Sequence, residues 1–265
     1  MALKLIFPPA YASKSLLKRL YINKLSKPAK MKRTLILSLT VLSLAILTSG
    51  ISAQNPEKET RDLKGFTKIG YAIPGTLKIN IGPEFKVVLE GDKDDLKEVI
   101  TEVSDGKLKI RLEHWGFNFN EKINAYVTMP RLAAVSVSGS GRAEILDSVK
   151  EADDFEINIS GSGSLQAAEI VADAFDCSIS GSGKISISSG SADRGEISIS
   201  GSGSYSAPEF EIDHLEISVS GSGNCLCKAG DSLKASISGS GSVHYKGDPK
   251  IDARVSGSGK VRSAE

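Results

Sequence analysis

The four-residue string Ser-Gly-Ser-Gly begins seven times, at Ser138, Ser160, Ser180, Ser200, Ser220, Ser238 and Ser256, so successive copies stand 22, 20, 20, 20, 18 and 18 residues apart. A near-constant period of that length is the mark of a repeat architecture in which one small unit stacks on the next. Aligning the copies exposes a period of two. The residue before each string is Val137, Ile159, Ile179, Ile199, Val219, Ile237 or Val255, and two places earlier stands Val135, Ile157, Cys177, Ile197, Ile217, Ala235 or Ala253, every one apolar. Between them lie Ser136, Asn158, Ser178, Ser198, Ser218, Ser236 and Arg254, and farther out Glu156, Asp176, Glu196, Glu216, Lys234 and Asp252. Alternate residues of a strand point to opposite faces, so each copy reads as an extended, half-buried segment. The same parity carried past the string places both of its glycines inward, where they permit a corner or a close backbone approach. Next on the inward side come Leu165, Ile185, Tyr205, Cys225, Val243 and Val261, then Ala167, Ile187, Ala207, Cys227 and Tyr245.

A unit of 18 to 22 residues with about two such segments cannot bury its own inner face, but stacking on its neighbours does so. The expected fold is all-β, a parallel β-helix or solenoid of about 20 residues per coil, each coil adding about 4.8 Å. A core of Val, Ile, Leu and Ala fits a chain that is 40% apolar with only 6% aromatic residues. Residues 54–130 are less regular: Leu77-Ile79-Ile81, Leu108-Ile110-Leu112 and Ile123-Ala125-Val127-Met129 alternate like strands, whereas 94–103 suits either a helical turn or a strand. This stretch is expected to cap the first coil, in one continuous domain with the repeats of 131–265. At the other end the chain stops nine residues after the last string begins, leaving Lys260 and Arg262 on the outward parity to blunt the final edge.

Upstream of the repeats the chain has a different character. Met31-Lys32-Arg33 opens a basic stretch, 34–47 carries no charge, and Ile51-Ser52-Ala53 offers a cleavage site, so 31–53 has the layout of a secretory signal peptide. Its apolar run is shorter than the roughly 20 residues of a membrane-spanning helix, and no integral membrane segment is expected in the mature chain. Residues 1–30 have no place in such a leader, which points to Met31 as the true start. All 9 basic residues of 1–53 stand there without an acidic one, so 54–265 keeps 24 basic against 32 acidic residues, a net charge of −8. A domain that acidic repels phosphate backbones and argues against nucleic-acid binding.

The residues do not assemble into recognisable catalytic chemistry. No Gly-X-Ser-X-Gly elbow, dinucleotide fingerprint or phosphate-binding loop occurs, and neither a cofactor nor a metal site is expected. Cys177, Cys225 and Cys227 share the inward parity and replace aliphatic residues, so they read as small buried hydrophobes rather than as a bridge or a zinc site. Asp92, Asp94, Asp95, Asp153 and Asp154 stand beside turns, where acidic residues are ordinary. Two features are candidates for ligand contact. Trp115, Phe117 and Phe119 share one parity and either stack on sugar rings or close the mouth of the core. Ser138, Ser160, Ser180, Ser200, Ser220 and Ser238 form an outward column, whose hydroxyls either bond to one another as a register-keeping ladder or present a regular surface to a glycan.

The segments Arg61-Asp62-Leu63-Lys64-Gly65-Phe66-Thr67-Lys68-Ile69, Val87-Val88-Leu89-Glu90-Gly91-Asp92 and Asp105-Gly106-Lys107-Leu108-Lys109-Ile110, with Met129-Pro130-Arg131-Leu132 running into the first string, resemble the head GIN domain family of auto-transporter adhesins. The resemblance implies a right-handed β-helix in a bacterial envelope protein with an adhesive or surface role, and it brings no catalytic residues. The expectation is therefore an exported, non-enzymatic binding module, periplasmic or associated with the outer membrane or cell surface, with a glycan or a surface protein as partner. Two other readings are open: a β-helix enzyme acting on polysaccharide, and a structural element that forms homo-oligomers through its C-terminal coil.

Overall fold

The computed structural model describes residues 56–114 and 122–264. The leader expected at 31–53, the segment 1–30 and the aromatic row Trp115, Phe117 and Phe119 lie outside the described residues. Strands dominate: β1 (Glu57–Arg61), β2 (Lys68–Ala72), β3 (Gly75–Ile81), β4 (Lys86–Gly91), β5 (Val99–Ser104), β6 (Lys107–Leu112), β7 (Ile123–Met129) and β8 (Ala134–Gly139) lead into the repeats. There β9 (Arg142–Gly161), β10 (Ser164–Gly181), β11 (Lys184–Gly201), β12 (Ser204–Gly221) and β13 (Asn224–Gly239) each run through almost a whole coil. They are followed by β14 (Ser242–Lys246), β15 (Lys250–Gly257) and β16 (Lys260–Ser263).

The chain is a β-solenoid of about 6 turns spaced about 20 residues apart. Every pairing from β8 to β16 is parallel and puts like repeat positions over each other: Val137 on Ile159, Ile159 on Ile179, Ile179 on Ile199, Ile199 on Val219 and Val219 on Ile237. No member of that aliphatic column is more than 2% exposed. Burying one such side chain contributes roughly 1.5–3 kcal/mol, and each coil brings several.

Two details differ from the period-two reading. Inward residues of a coil fall into three runs rather than two: in β10 they are Leu165 and Ala167, then Ile170, Ala172 and Ala174, then Phe175, Cys177 and Ile179. The parity slips at each intervening corner, where adjacent residues turn the same way. Within the string, only the second glycine is buried, in every copy but the last; the first is at the corner itself, with φ between +80° and +122°. Glycines also make room inside. Phe175 and Phe210 meet edge to face with ring centroids 5.0 Å apart, and the intervening coil places Gly195 in register with Phe175 and Gly190 with Phe210. Wide residues on one coil are thus matched by absent side chains on the next.

The less regular segment is the expected cap. Along the face that follows each string, β3 pairs in parallel with β9 and β7, and the series is closed by antiparallel β4 and β1. Along the face that leads into the string, β2 joins β8 to β6, and antiparallel β5 closes it. The stretch 94–103 divides between both expectations, since a short helix α1 (Lys93–Lys97) precedes β5. Asp92 caps it, its carboxylate accepting from the backbone N–H of Asp94 at 2.9 Å and of Asp95 at 3.3 Å.

Candidate binding surface

The repeated string builds a corner from backbone alone. The carbonyl of its first glycine accepts the N–H of the serine one coil on, as in Ser182 to Gly161 at 2.9 Å, Ser202 to Gly181 at 2.8 Å and Ser222 to Gly201 at 2.8 Å. The second glycine's carbonyl accepts in the same way, Lys184 to Gly163 at 3.0 Å and Ser204 to Gly183 at 2.9 Å. A Cβ on the first glycine would fall onto the carbonyl beneath it, 2.6 Å away at Gly181 and Gly201, and a Cβ on the second would meet an aliphatic side chain, 2.4 Å from Ile159 Cγ2 at Gly183. Ladder and glycine are one requirement: the coils approach too closely for any side chain at these positions.

With the corner held this way, the outward residues of the preceding segment form straight columns. Ser138, Ser160, Ser180, Ser200, Ser220 and Ser238 are all exposed and stand in register. The neighbouring column runs Ser136, Asn158, Ser178, Ser198, Ser218 and Ser236. Among the described residues no hydroxyl of either column bonds to the next one in it, so the ladder, one of the two alternatives the sequence leaves open, is not formed. The reason is geometric. Identical side chains repeated by one coil lie about 4.8 Å apart, whereas an O–H···O bond needs about 2.7–2.8 Å. Ser136 has a partner outside its column, its Oγ accepting from the Lys107 ammonium at 3.1 Å.

Beside these hydroxyls runs a row of carboxylates, Glu156, Asp176, Glu196 and Glu216, again one per coil. Like charges directly across neighbouring strands repel. Relief comes where Lys234 on the next coil reaches Glu216 at 2.7 Å. Between the row and the hydroxyls lies a shallow groove of about 230 Å³, bordered by Glu156, Asn158, Asp176, Ser178, Glu196 and Ser198. The groove is acidic and disfavours anionic polymers.

The remaining candidates take structural places. Cys177, Cys225 and Cys227 are free thiols buried in the aliphatic columns. Burial, with the charge of Asp176 adding to it, raises the Cys177 thiol far above its ordinary value, so it is not a reactive thiolate. Asp153 pairs with Arg131 at 2.9 Å and Asp154 with Arg194 at 3.5 Å. One cluster missed by sequence reasoning, Glu98, Glu113 and the exposed His114, brings ligand atoms within 4.8 Å of one another. Three donors at the surface fall short of the four that enclose a structural zinc ion. Also missed is a hollow over the cap, around Tyr126, whose residues come from separate strands and share no motif.

Residues 65–249 match a family described as "putative auto-transporter adhesin, head GIN domain". The chain belongs to this family. Solved structures similar to this GIN-domain chain include a putative adhesin from Bacteroides fragilis, with a TM-score of 0.75 and 23% identity over 81% of this chain and 100% of that one. A putative adhesin from Parabacteroides distasonis has a TM-score of 0.68 and 22% identity, covering 80% of this chain and 98% of its own. A protein from the same species described as a putative lipid binding protein has a TM-score of 0.66 and 24% identity with the same shares, 80% and 98%. At such identities the likeness is one of fold. Among curated proteins no match was found. Among the described residues no helix is long and apolar enough to cross a membrane.

Proposed function

We propose that the chain is an exported, non-enzymatic binding module of the bacterial cell envelope with an adhesin-like role. The observation that carries this reading is the outward face leading into the string, where exposed hydroxyls recur in register on successive coils and are not used up in bonding one another. Polar groups held at fixed spacing and left to water can exchange that water for a ligand's hydroxyls with little ordering cost. The family description and the leader-like layout of 31–53 support the same reading. The partner class is a glycan or a surface protein.

The test combines glycan-array and cell-adhesion measurements on the purified chain with fractionation of the native host and N-terminal sequencing of the product. Retention on an envelope or host component is expected. Replacing Ser180, Ser200 and Ser220 by Lys together should abolish it. A chain that binds none of them, or whose product keeps residues 31–53, overturns the reading.

A second reading, end-to-end stacking of copies, is favoured by one observation. Ile251 and Val255 of β15 are 47% and 43% exposed, although their repeat positions are buried in the coils before. Light scattering of Val255→Asp against the parent decides it: the parent should run as an oligomer and the variant as a monomer, and identical masses reject stacking.

A further inference from the structure

The hollow over the cap lies on the face that follows the string, away from the acidic row. Across β4 and β7, Val88 stands opposite Tyr126 and Lys86 opposite Thr128; across β1 and β4, Lys58 stands opposite Glu90. Lys58, Lys86, Val88, Tyr126 and Thr128 enclose about 290 Å³. Its floor is the valine, the phenol ring and the threonine, and two ammonium groups bracket it. Lys86 and Glu90 are four residues apart on one strand, roughly 13 Å of backbone, so the lysines enter from opposite ends with Val88 between them.

The aromatic wall is fixed in place. The Tyr126 hydroxyl donates to Glu90 at 2.6 Å, Glu90 is paired with Lys58 at 3.3 Å, and the ammonium groups of Lys58 and Lys78 lie 5.9 and 6.0 Å from the ring centroid. Among the described residues Lys86 has no carboxylate within ion-pair distance. Three lysines against Glu90 and Glu144, the latter opposite Lys78 across β3 and β9, give this patch a local charge of +1 within a domain of net charge −8. A ligand that satisfies it must offer an anion and a weakly polar face together. Inorganic phosphate would use the ammonium groups and leave the floor bare, and a neutral sugar would do the reverse. A sugar that carries a carboxylate does both, its polarised C–H groups meeting the negative face of the ring.

We propose that this hollow binds an acidic sugar residue, a uronate or sialate of a surface polysaccharide, with its carboxylate on Lys86 and its ring against Tyr126 and Val88. The site is independent of the hydroxyl columns, so it stands or falls separately from the adhesin-like reading.

The test is calorimetric or NMR titration of the full chain with trigalacturonate, with galactotriose as the neutral match, and with inorganic phosphate and phosphatidylglycerol vesicles as other anion sources. Trigalacturonate is expected to bind at roughly millimolar strength, as suits a small open site. Galactotriose should bind at least tenfold more weakly. Lys86→Gln, on the surface and clear of the Tyr126–Glu90 bond, should weaken trigalacturonate about five- to tenfold, in line with loss of one charge-assisted contact. Lys184→Gln, on the same face beyond the cap, should leave it unchanged. The proposal is overturned if Lys86→Gln binds like the parent, if phosphate binds as tightly as trigalacturonate, or if only the vesicles bind.

Discussion

A methyl group at Gly201 would sit 2.6 Å from the carbonyl oxygen of Gly181, and the φ of +113° at Gly201 is one that L side chains rarely adopt. Gly201→Ala should therefore cost at least the roughly 1–3 kcal/mol of a strained backbone, and more from the displaced ladder. Urea denaturation should show a lowered midpoint at unchanged slope. Ser200→Ala, one residue away and exposed, should stay within about 0.5 kcal/mol. Equal losses in the two variants would remove the glycines from their corner role. Parity in the sequence was enough to place Ile199 inward and Ser200 outward, but it sent both glycines inward as well. It could not show that the first of them meets the coil below rather than the core, because that depends on the distance between coils. A titrating residue gives a second prediction. The bond from Tyr126 holds Glu90 below the ordinary glutamate value of 4.5, and Lys58 lowers it further. A carboxylate lowered by folding contributes stability above its unfolded value and loses it as pH falls through the folded one. The parent should thus lose more stability than Glu90→Gln between about pH 6 and about pH 3. Parallel curves would show that the Tyr126–Glu90 bond adds nothing.

At the scale of elements, the legible part of the fold is the segment in which Ile or Val alternates with Ser or Asn. The corners are harder to see. In β10 the slip after Ala167 falls on Ala168 and Glu169, neither of which carries a turn signature, so nothing in the sequence marks where a third run of inward residues begins. The cap hid its antiparallel closure for a related reason: nothing in Lys86–Gly91 distinguishes a strand pairing with β7 in one direction from the other. The helix between β4 and β5 was ambiguous because its few residues are flanked by strand-like Val99 and Ile100. Its start is marked by Asp92, and Asp92→Ala should cost about 1 kcal/mol, as for other helix N-caps. Amide exchange should quicken at Leu96, which is buried beneath that turn, before it quickens in β9–β12. Uniform acceleration along the chain would mean that the cap and the coils open as one unit.

On the scale of the molecule, a stack in which each coil touches only the next has a stability that sums local terms, so position along the axis decides what a substitution costs. This is also why the hydroxyl face was legible and the Tyr126 hollow was not. The columns repeat a local pattern at every coil, whereas Lys58, Lys86 and Tyr126 come together only through the order of strands in the cap. The same logic separates two residues of one column. Ile199 is 2% exposed with a coil on either side, and Val255 is 43% exposed with a coil on one side only among the described residues. Ile199→Ala should cost roughly 2–5 kcal/mol, since the cavity is walled above and below and cannot collapse. Val255→Ala should cost well under half of that, since about half of its surface is already in water. Hydrogen exchange on the parent should show the same gradient, slowest in β10–β12 and fastest in β15, all eight of whose residues are exposed. If Val255→Ala proved as damaging as Ile199→Ala, and β15 as protected as β11, the last coil would have to be covered in solution, and the stacking of copies would gain what the exposed edge alone only suggests.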